Sequence, residues 1–219
     1  MKNKIFIVLC LAAAVMSVSC KKDYTTGGSL SVANTPLNNM DYLAANQYKE
    51  FDTVVQIINK LGLANEVNSA KTFFAFTDFS VKLYMDAKAL AKYNVNPAAV
   101  YTIDSLVKDI SADSIRMYMF DQTIDLNKAT VYTAPMTLPT INSAAKNTTI
   151  PMIVYSILQI AAPYTTMTKA PTYLLYMGKP PTLALPLPAG VLCQTTGIKT
   201  SNGATTLHVL ANTHTFIRF

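Results

Sequence analysis

Apolar residues in the first half of the chain recur at helical intervals. The first set lies three or four positions apart: Phe51, Val54, Val55, Ile58 and Leu61. This spacing predicts an amphipathic helix with one buried side. Gly62 follows, and glycine closes helices by adopting a left-handed conformation. We therefore predict that the helix ends at Gly62, with Leu63 covering its last turn.

Three further helices and one strand are predicted in this half. The uncharged run Thr72 to Phe76 indicates a buried strand, and Thr77-Asp78 offers an N-cap for the helix that follows. A third helix is predicted from Asn96-Pro97, and a short fourth one from Ser111 or Asp113. The helix after Thr77-Asp78 is expected to bury Phe79, Leu83, Ala87 and Leu90. The third helix is expected to bury Val100, Ile103, Val107 and Ile110, and the fourth Ile115 and Met119.

The helical period disappears after Asp125. Nine of the eleven prolines fall between Pro135 and Pro188, which excludes long helices there. A tight turn is predicted at Asn202-Gly203. Helices followed by strands predict an α+β domain and not an alternating α/β one. The segments with strand-like patterns are Thr149 to Ala161, Thr172 to Met177, Leu207 to Ala211 and the alternating end Thr213 to Phe219.

The N-terminus has the pattern of a bacterial lipoprotein signal peptide, residues 1–19. Lys2 and Lys4 precede an apolar stretch of 14 residues, Ile5 to Val18, and Cys20 follows. Fourteen residues are too few to cross a hydrocarbon core about 30 Å thick. We predict acylation of Cys20 and a lipid anchor in the outer membrane, with the protein facing outward. An ordinary secreted protein and an uncut membrane anchor are the alternatives.

The mature chain is expected to consist of a tether and one domain. Residues 20–47 are polar and rich in turn formers, which is typical of a flexible tether. Residues 48–219 are long enough for a single domain. Within that domain, residues 129–197 contain nine prolines, five tyrosines and no acidic residue. Four of the tyrosines are candidate ligand-binding residues, with coverage of the sheet as the alternative: Tyr155, Tyr164, Tyr173 and Tyr176.

Charge divides the chain into two halves. All twelve acidic residues lie at or before Asp125, so residues 20–125 carry a charge of −2 and residues 126–219 one of +6. The six basic residues of the second half are scattered, without the clustering that phosphate tracking requires. We therefore expect no nucleic-acid partner.

Residues suited to catalysis are scarce. His208 and His214 are the only histidines, and every acidic residue lies in the other half, so a hydrolytic triad would join distant groups. On an unbroken strand the two histidines would lie about 20 Å apart, which is too far for one metal ion. Cys193 is the sole cysteine after Cys20, and zinc-ligand spacing is absent. We expect a non-catalytic protein without metal or cofactor.

Two segments resemble the landmarks of fasciclin-like domains. Phe51 to Leu63 and then Thr72-Phe-Phe-Ala-Phe-Thr-Asp resemble the family's first helix and its TVFAPT-D strand and turn. Thr200 to Leu210, TSNGATTLHVL, is similar to the second conserved segment, with two residues inserted. The resemblance implies helices packed on a C-terminal antiparallel or mixed sheet. It also implies structural roles for Thr72, Phe74, Thr77, Asp78, Asn202, Gly203 and His208.

The resemblance further implies an adhesion or ligand-binding module with an extracellular protein or glycan partner. The Tyr-His pair that accompanies integrin adhesion in some animal members is incomplete, because Tyr118 has no histidine beside it. The anchor and the tyrosine-rich stretch support an alternative, an accessory glycan-binding lipoprotein of a polysaccharide-uptake system. A structural role in cell-envelope cohesion is the third possibility.

Overall fold

Helices dominate the first half of the chain and strands the second, as the sequence pattern predicts, which confirms the α+β composition. The computed structural model describes residues 33–126, 129, 136–140, 151–158, 173–180 and 189–219, which all belong to one compact unit, Ala33–Phe219. The described α-helices are α1 (Asn39–Ala44), α2 (Asp52–Lys60), α3 (Ala64–Ser69), α4 (Asp78–Tyr93), α5 (Ile103–Asp109) and α6 (Ala112–Arg116). The described strands are β1 (Thr72–Ala75), β2 (Met119–Phe120), β3 (Met136–Pro139), β4 (Pro151–Leu158), β5 (Tyr173–Lys179), β6 (Ala189–Thr200) and β7 (Thr205–Leu210).

The described strands form one mixed sheet in the order β2-β1-β7-β6-β5-β4-β3. Strands β1 and β7 pair in parallel, with Phe74 opposite His208, and the other neighbouring pairs are antiparallel. This pairing places the first described strand beside the last described one. The main core therefore combines side chains from the helical half with side chains from the strand half, and its largest fully buried members include Phe73, Phe74, Phe76, Tyr118, Phe120 and Phe216.

Helix α2 ends as the sequence predicts. Gly62 has φ +70°, and two backbone bonds close the last turn: Gly62 N–H to the Asn59 carbonyl and Leu63 N–H to the Ile58 carbonyl, both 3.0 Å. This pair of bonds is a Schellman motif. Leu63 is buried beneath it.

Replacing Gly62 with Val is expected to lower the free energy of unfolding by about 1 kcal/mol or more, because a β-branched residue is strained at positive φ. No atom lies within 4 Å of the position that a Cβ would take, so the cost is conformational and not a clash. Urea unfolding measures it. Gly62→Asn is the control, since asparagine tolerates this conformation better and should lose less. Equal stability of the Val variant and the parent would contradict the prediction.

The tether prediction differs from the structure over its second half. Residues 39–44 form α1, with Met40 and Leu43 in the core. Asn39 is buried as well; its amide nitrogen donates to the Val67 carbonyl at 2.7 Å, and its oxygen accepts from the Thr200 hydroxyl at 2.6 Å. The polar composition of this segment therefore gave no indication of α1, which specific hydrogen bonds fix in place.

Helix α4 turns its less apolar side to the core, so the predicted buried side is wrong. Ser80, Val81 and Tyr84 are buried, whereas the predicted stripe is exposed. The C-terminal segment explains the orientation, because Phe216 packs against Tyr84 and its N–H donates to the Ser80 carbonyl at 3.1 Å.

Among the described helices, none has both the length and the apolar character needed to cross a bilayer.

Two further element predictions are wrong. The third helix begins at Ile103 and not at Asn96, because the Thr102 side chain caps it by accepting from the Ser105 N–H at 3.3 Å. The Asn96 side chain instead accepts from the Ala98 N–H within a turn. The end of the chain, residues 213–219, forms turns with a single bridge and no strand.

The remaining element predictions agree with the structure where it describes them. Helix α6 follows Ser111 and buries Ile115, whereas Met119, predicted to lie on the same helix, is buried in β2. Strands β4, β5 and β7 lie within or overlap the three internal segments predicted as strands. The longest described strand, β6, has no counterpart among the sequence predictions.

Candidate functional site

Asp78 stabilises a neighbouring helix. It lies in the first turn of α4, but its carboxylate oxygens accept from the backbone N–H groups of Thr53 and Val54 at 3.0 Å each. Phe51, at the N-cap position of α2, provides no side-chain cap. Asp78 therefore caps α2 from outside, where a negative charge also interacts favourably with the helix dipole.

Thr77 and Thr72 make structural hydrogen bonds at the two ends of β1. Thr77 occupies the N-cap position of α4 without a capping bond, and its hydroxyl donates to the Asn212 side chain at 2.8 Å. The Thr72 hydroxyl donates to the Gln122 carbonyl at 2.8 Å and accepts from the Ile124 N–H at 2.9 Å. Both threonines thus tie β1 to distant parts of the chain.

His208 is buried in β7 and both ring nitrogens are occupied. Nε2 lies 2.8 Å from the Ile124 carbonyl, and Nδ1 accepts from the Gly197 N–H at 3.1 Å. These partners fix the neutral tautomer with the proton on Nε2. The ring stacks on Phe74 at 4.8 Å, and burial lowers the pKa of His208 to about 4. This geometry supports a structural role.

The turn at Asn202-Gly203 links β6 to β7. Asn202 has φ 56° and Gly203 has φ 91°, so both adopt the left-handed conformation that these residue types tolerate best. The predicted turn is present, and it fixes the register in which Thr200 lies opposite Thr205.

A second buried histidine pairs with Tyr118. The Tyr118 hydroxyl lies 2.8 Å from His214 Nε2 and accepts from the Ile217 N–H at 2.8 Å. Among the described residues, Nδ1 has no hydrogen-bond partner. Tyr118 has no histidine beside it in the sequence, but in the structure it contacts His214, 96 positions away.

The three candidate tyrosines that the structure describes do not form one site. Tyr155 is buried, and its ring stacks on Tyr176 with centroids 5.2 Å apart, so the proposed binding role of Tyr155 is replaced by packing. Tyr176 is half-buried in that stack. Tyr164 lies outside the described residues. Tyr173 is 40% exposed, and it alone among the described three presents a large free surface.

Tyr173 lines a cleft of about 720 Å³. An ion pair fixes one wall: Lys199 Nζ lies 2.5 Å from the Asp125 carboxylate and donates to the Thr206 hydroxyl at 2.7 Å. The other described lining residues are Leu126, Ala129, Ser156, Thr196 and Gly197. An aromatic face, a fixed ion pair and hydroxyl groups suit a ligand with both apolar and hydrogen-bonding surfaces.

The ion pair at the cleft was not predicted. Asp125 and Lys199 are 74 residues apart, and no local motif contains either of them. One signal was present, because Lys199 is the only charged residue in β6. A lone charge in an otherwise uncharged strand indicates a specific partner.

Reactive chemistry has little support among the described side chains. Burial raises the pKa of the Cys193 thiol, which disfavours the reactive thiolate. Within the described residues, no three His, Cys, Asp or Glu side chains are grouped to hold a metal ion. The cleft at Tyr173 is the candidate functional site, because it combines an exposed aromatic ring with an ion pair.

No protein-family model and no curated protein matches the chain.

Proposed function

We propose that this protein is a lipid-anchored, fasciclin-like module of the bacterial outer membrane that binds an extracellular ligand without catalysing a reaction. The observation that carries the proposal is the cleft in which exposed Tyr173 lies beside the Asp125–Lys199 ion pair. The signal-like N-terminus ending in Cys20 supports the anchor. Thr72, Asp78 and His208, to which the resemblance assigns structural roles, make hydrogen bonds to other parts of the chain.

Acylation of Cys20 is tested by membrane partitioning. The Cys20→Ala variant is expected to leave the membrane fraction after carbonate washing, because the chain then has no lipid to hold it. The parent should stay with the membranes. Retention of the variant in the pellet would count against a lipid anchor, and mass spectrometry of the parent would reveal whether an acyl group is present.

Binding of an extracellular protein, in an adhesion role, is the first form of this function. Glycan binding in a polysaccharide-uptake system is the second, and the cleft favours it. A tyrosine face can stack on a sugar ring, and the charged and hydroxyl groups around it can bond to sugar hydroxyls. A panel of polysaccharides, mucins and matrix proteins separates the two forms.

Tyr173→Ala is expected to weaken glycan binding about tenfold, since it removes roughly 1.4 kcal/mol of aromatic contact. Titration calorimetry with the best ligand of the panel measures the change. Tyr48→Ala is the matched control, because Tyr48 is also exposed but belongs to a different cleft. Unchanged affinity in the Tyr173 variant would remove this cleft as the glycan site, and binding of proteins alone would favour the adhesion role.

A further inference from the structure

The charged groups of the cleft at Tyr173 are already paired with each other. Among its described lining residues, Asp125 and Lys199 are the two with a charged side chain. Lys199 Nζ lies 2.5 Å from the Asp125 carboxylate, and the Lys199 and Asp125 side chains are 31% and 23% exposed. A ligand in the cleft therefore meets a hydrogen-bond donor and an acceptor side by side, with opposite charges that cancel.

The buried ring of His208 holds both walls of this cleft in place. Its Nε2 lies 2.8 Å from the carbonyl of Ile124, the residue before Asp125. Its Nδ1 accepts at 3.1 Å from the N–H of Gly197, which lies in the same strand as Lys199. The ion pair is thus positioned before a ligand arrives, and a preorganised site loses less entropy on binding.

The pair retains hydrogen-bonding capacity for a ligand. A lysine ammonium has three N–H donors, and Lys199 directs two of them to Asp125 and to the Thr206 hydroxyl. Within the described structure, the third can donate to a ligand oxygen. A carboxylate has about four acceptor positions, so Asp125 can accept from a ligand hydroxyl while it stays paired with Lys199. Two adjacent hydroxyls of a sugar ring match this arrangement, one accepting from Lys199 and the other donating to Asp125.

A ligand with a charge of its own suits the pair less well. A carboxylate on the ligand would bond to Lys199 but would also lie beside the Asp125 carboxylate, and like charges in contact repel each other. A ligand ammonium group meets the same repulsion from Lys199. Drawing Lys199 away from Asp125 would leave a partly buried carboxylate unpaired, which is costly as well.

We propose that the cleft at Tyr173 selects uncharged saccharides with neighbouring hydroxyl groups, and that the Asp125–Lys199 pair excludes acidic and basic sugars. The inference deepens the proposed function and rests on its glycan-binding form. Tyr173 provides the face on which a sugar ring stacks, and the ion pair bonds to two adjacent hydroxyls of the same saccharide.

Titration calorimetry of the full-length mature protein tests this selection with matched ligands. The ligands are glucan, mannan and galactan oligosaccharides, each with and without oxidation of its C6 hydroxyls to carboxylates. We expect a neutral glycan to bind at least about tenfold more tightly than its oxidised form, because the oxidised form places like charge beside Asp125. Tighter binding of an oxidised form would overturn the charge selection. If Tyr173→Ala abolished that binding, the cleft would still be the glycan site, and the proposed function would stand.

Failure of the glycan-binding form itself has a different result. If no glycan binds, neutral or oxidised, while a matrix protein does, the adhesion role replaces glycan binding and this inference falls with it.

Asp125→Asn provides the second test, because it removes the acid and leaves Lys199 unpaired. We expect the variant to bind the oxidised glycan at least about tenfold more tightly than the parent does, and the neutral glycan more weakly. Asp104→Asn is the matched control: Asp104 is paired with Lys60 at 2.8 Å outside the cleft, so both affinities should stay unchanged. An unchanged preference in a folded Asp125 variant would overturn the role of the pair, and thermal unfolding shows whether the variant is folded.

Discussion

Acidification from pH 7 to pH 4 is expected to remove about 6 kcal/mol from the free energy of unfolding, because two histidines are buried in neutral form. Burial lowers the pKa of both His208 and His214 to about 4, from the ordinary value of 6.5. Each unit of difference corresponds to about 1.4 kcal/mol, so each histidine contributes about 3 kcal/mol. A domain of ordinary stability, about 5–15 kcal/mol, would lose much of its margin.

The sign of this pH dependence follows from which state, folded or unfolded, binds more protons. Between pH 6.5 and pH 4 the unfolded chain is protonated at both histidines while the folded protein is not, so stability falls as the pH falls. Below about pH 4 the histidines contribute no further loss. The pKa of Glu66 is lowered by its hydrogen bond from Arg116, and this carboxylate extends the loss to lower pH.

Urea unfolding at a series of pH values measures this dependence. The His214→Phe variant is the control: its slope between pH 6.5 and pH 4 should be about half as steep as that of the parent, because only His208 is left to titrate. The slope is the informative quantity, because loss of packing alone would shift the curve without changing its steepness. A free energy of unfolding that stays constant over this range would show that the histidines are not buried in neutral form.

Phe216→Ala is expected to destabilise the protein by about 3–5 kcal/mol, since the ring is fully buried and its removal leaves a cavity. The Phe216 ring centroid lies 4.6 Å from that of Phe76, 5.8 Å from that of Tyr84 and 6.2 Å from that of Tyr118. These contacts hold the last residues of the chain against α4 and β1. Loss of the ring should therefore loosen residues 213–219 as well, which hydrogen exchange at the Ile217 amide would detect.

Phe79→Ala is the matched control for this prediction. Phe79 lies at the start of α4 and is exposed, so its truncation should cost less than about 1 kcal/mol. Thermal unfolding of both variants measures the difference. Similar losses at the two positions would contradict the orientation of α4, because the sequence pattern alone places Phe79, and not Ser80 or Tyr84, on the buried side.

Local signals in the sequence predict some elements well. The apolar spacing before Gly62 and the glycine itself determine α2 and its end, because the Schellman motif depends on neighbouring residues. The Asn202-Gly203 turn is predictable for the same reason. The start of α5, in contrast, was not predicted. Asn96-Pro97 has the stronger local pattern for a helix start, but the Asn96 side chain bonds within a turn. The Thr102 side chain caps α5 instead.

Contacts between distant residues account for what the sequence does not predict. The side of α4 that is buried is determined by its contacts with Phe216, which lies more than 120 residues later. The Tyr118–His214 pair joins residues 96 positions apart, and the Asp125–Lys199 pair joins residues 74 positions apart. In the candidate site, only the aromatic character of Tyr173 was visible in advance, since burial of Tyr155 depends on its stacking with Tyr176.

The parallel pairing of β1 with β7 has a consequence for folding kinetics. Thr72 lies opposite Thr206 in this pairing, so the pairing closes a loop that contains most of the domain. Contacts of such long sequence separation form slowly, because their loop-closure entropy is lost before they stabilise the chain. During synthesis, the helical half emerges before its partner strand exists. We expect this protein to depend on chaperones that shield the edge of β1 until the last residues arrive.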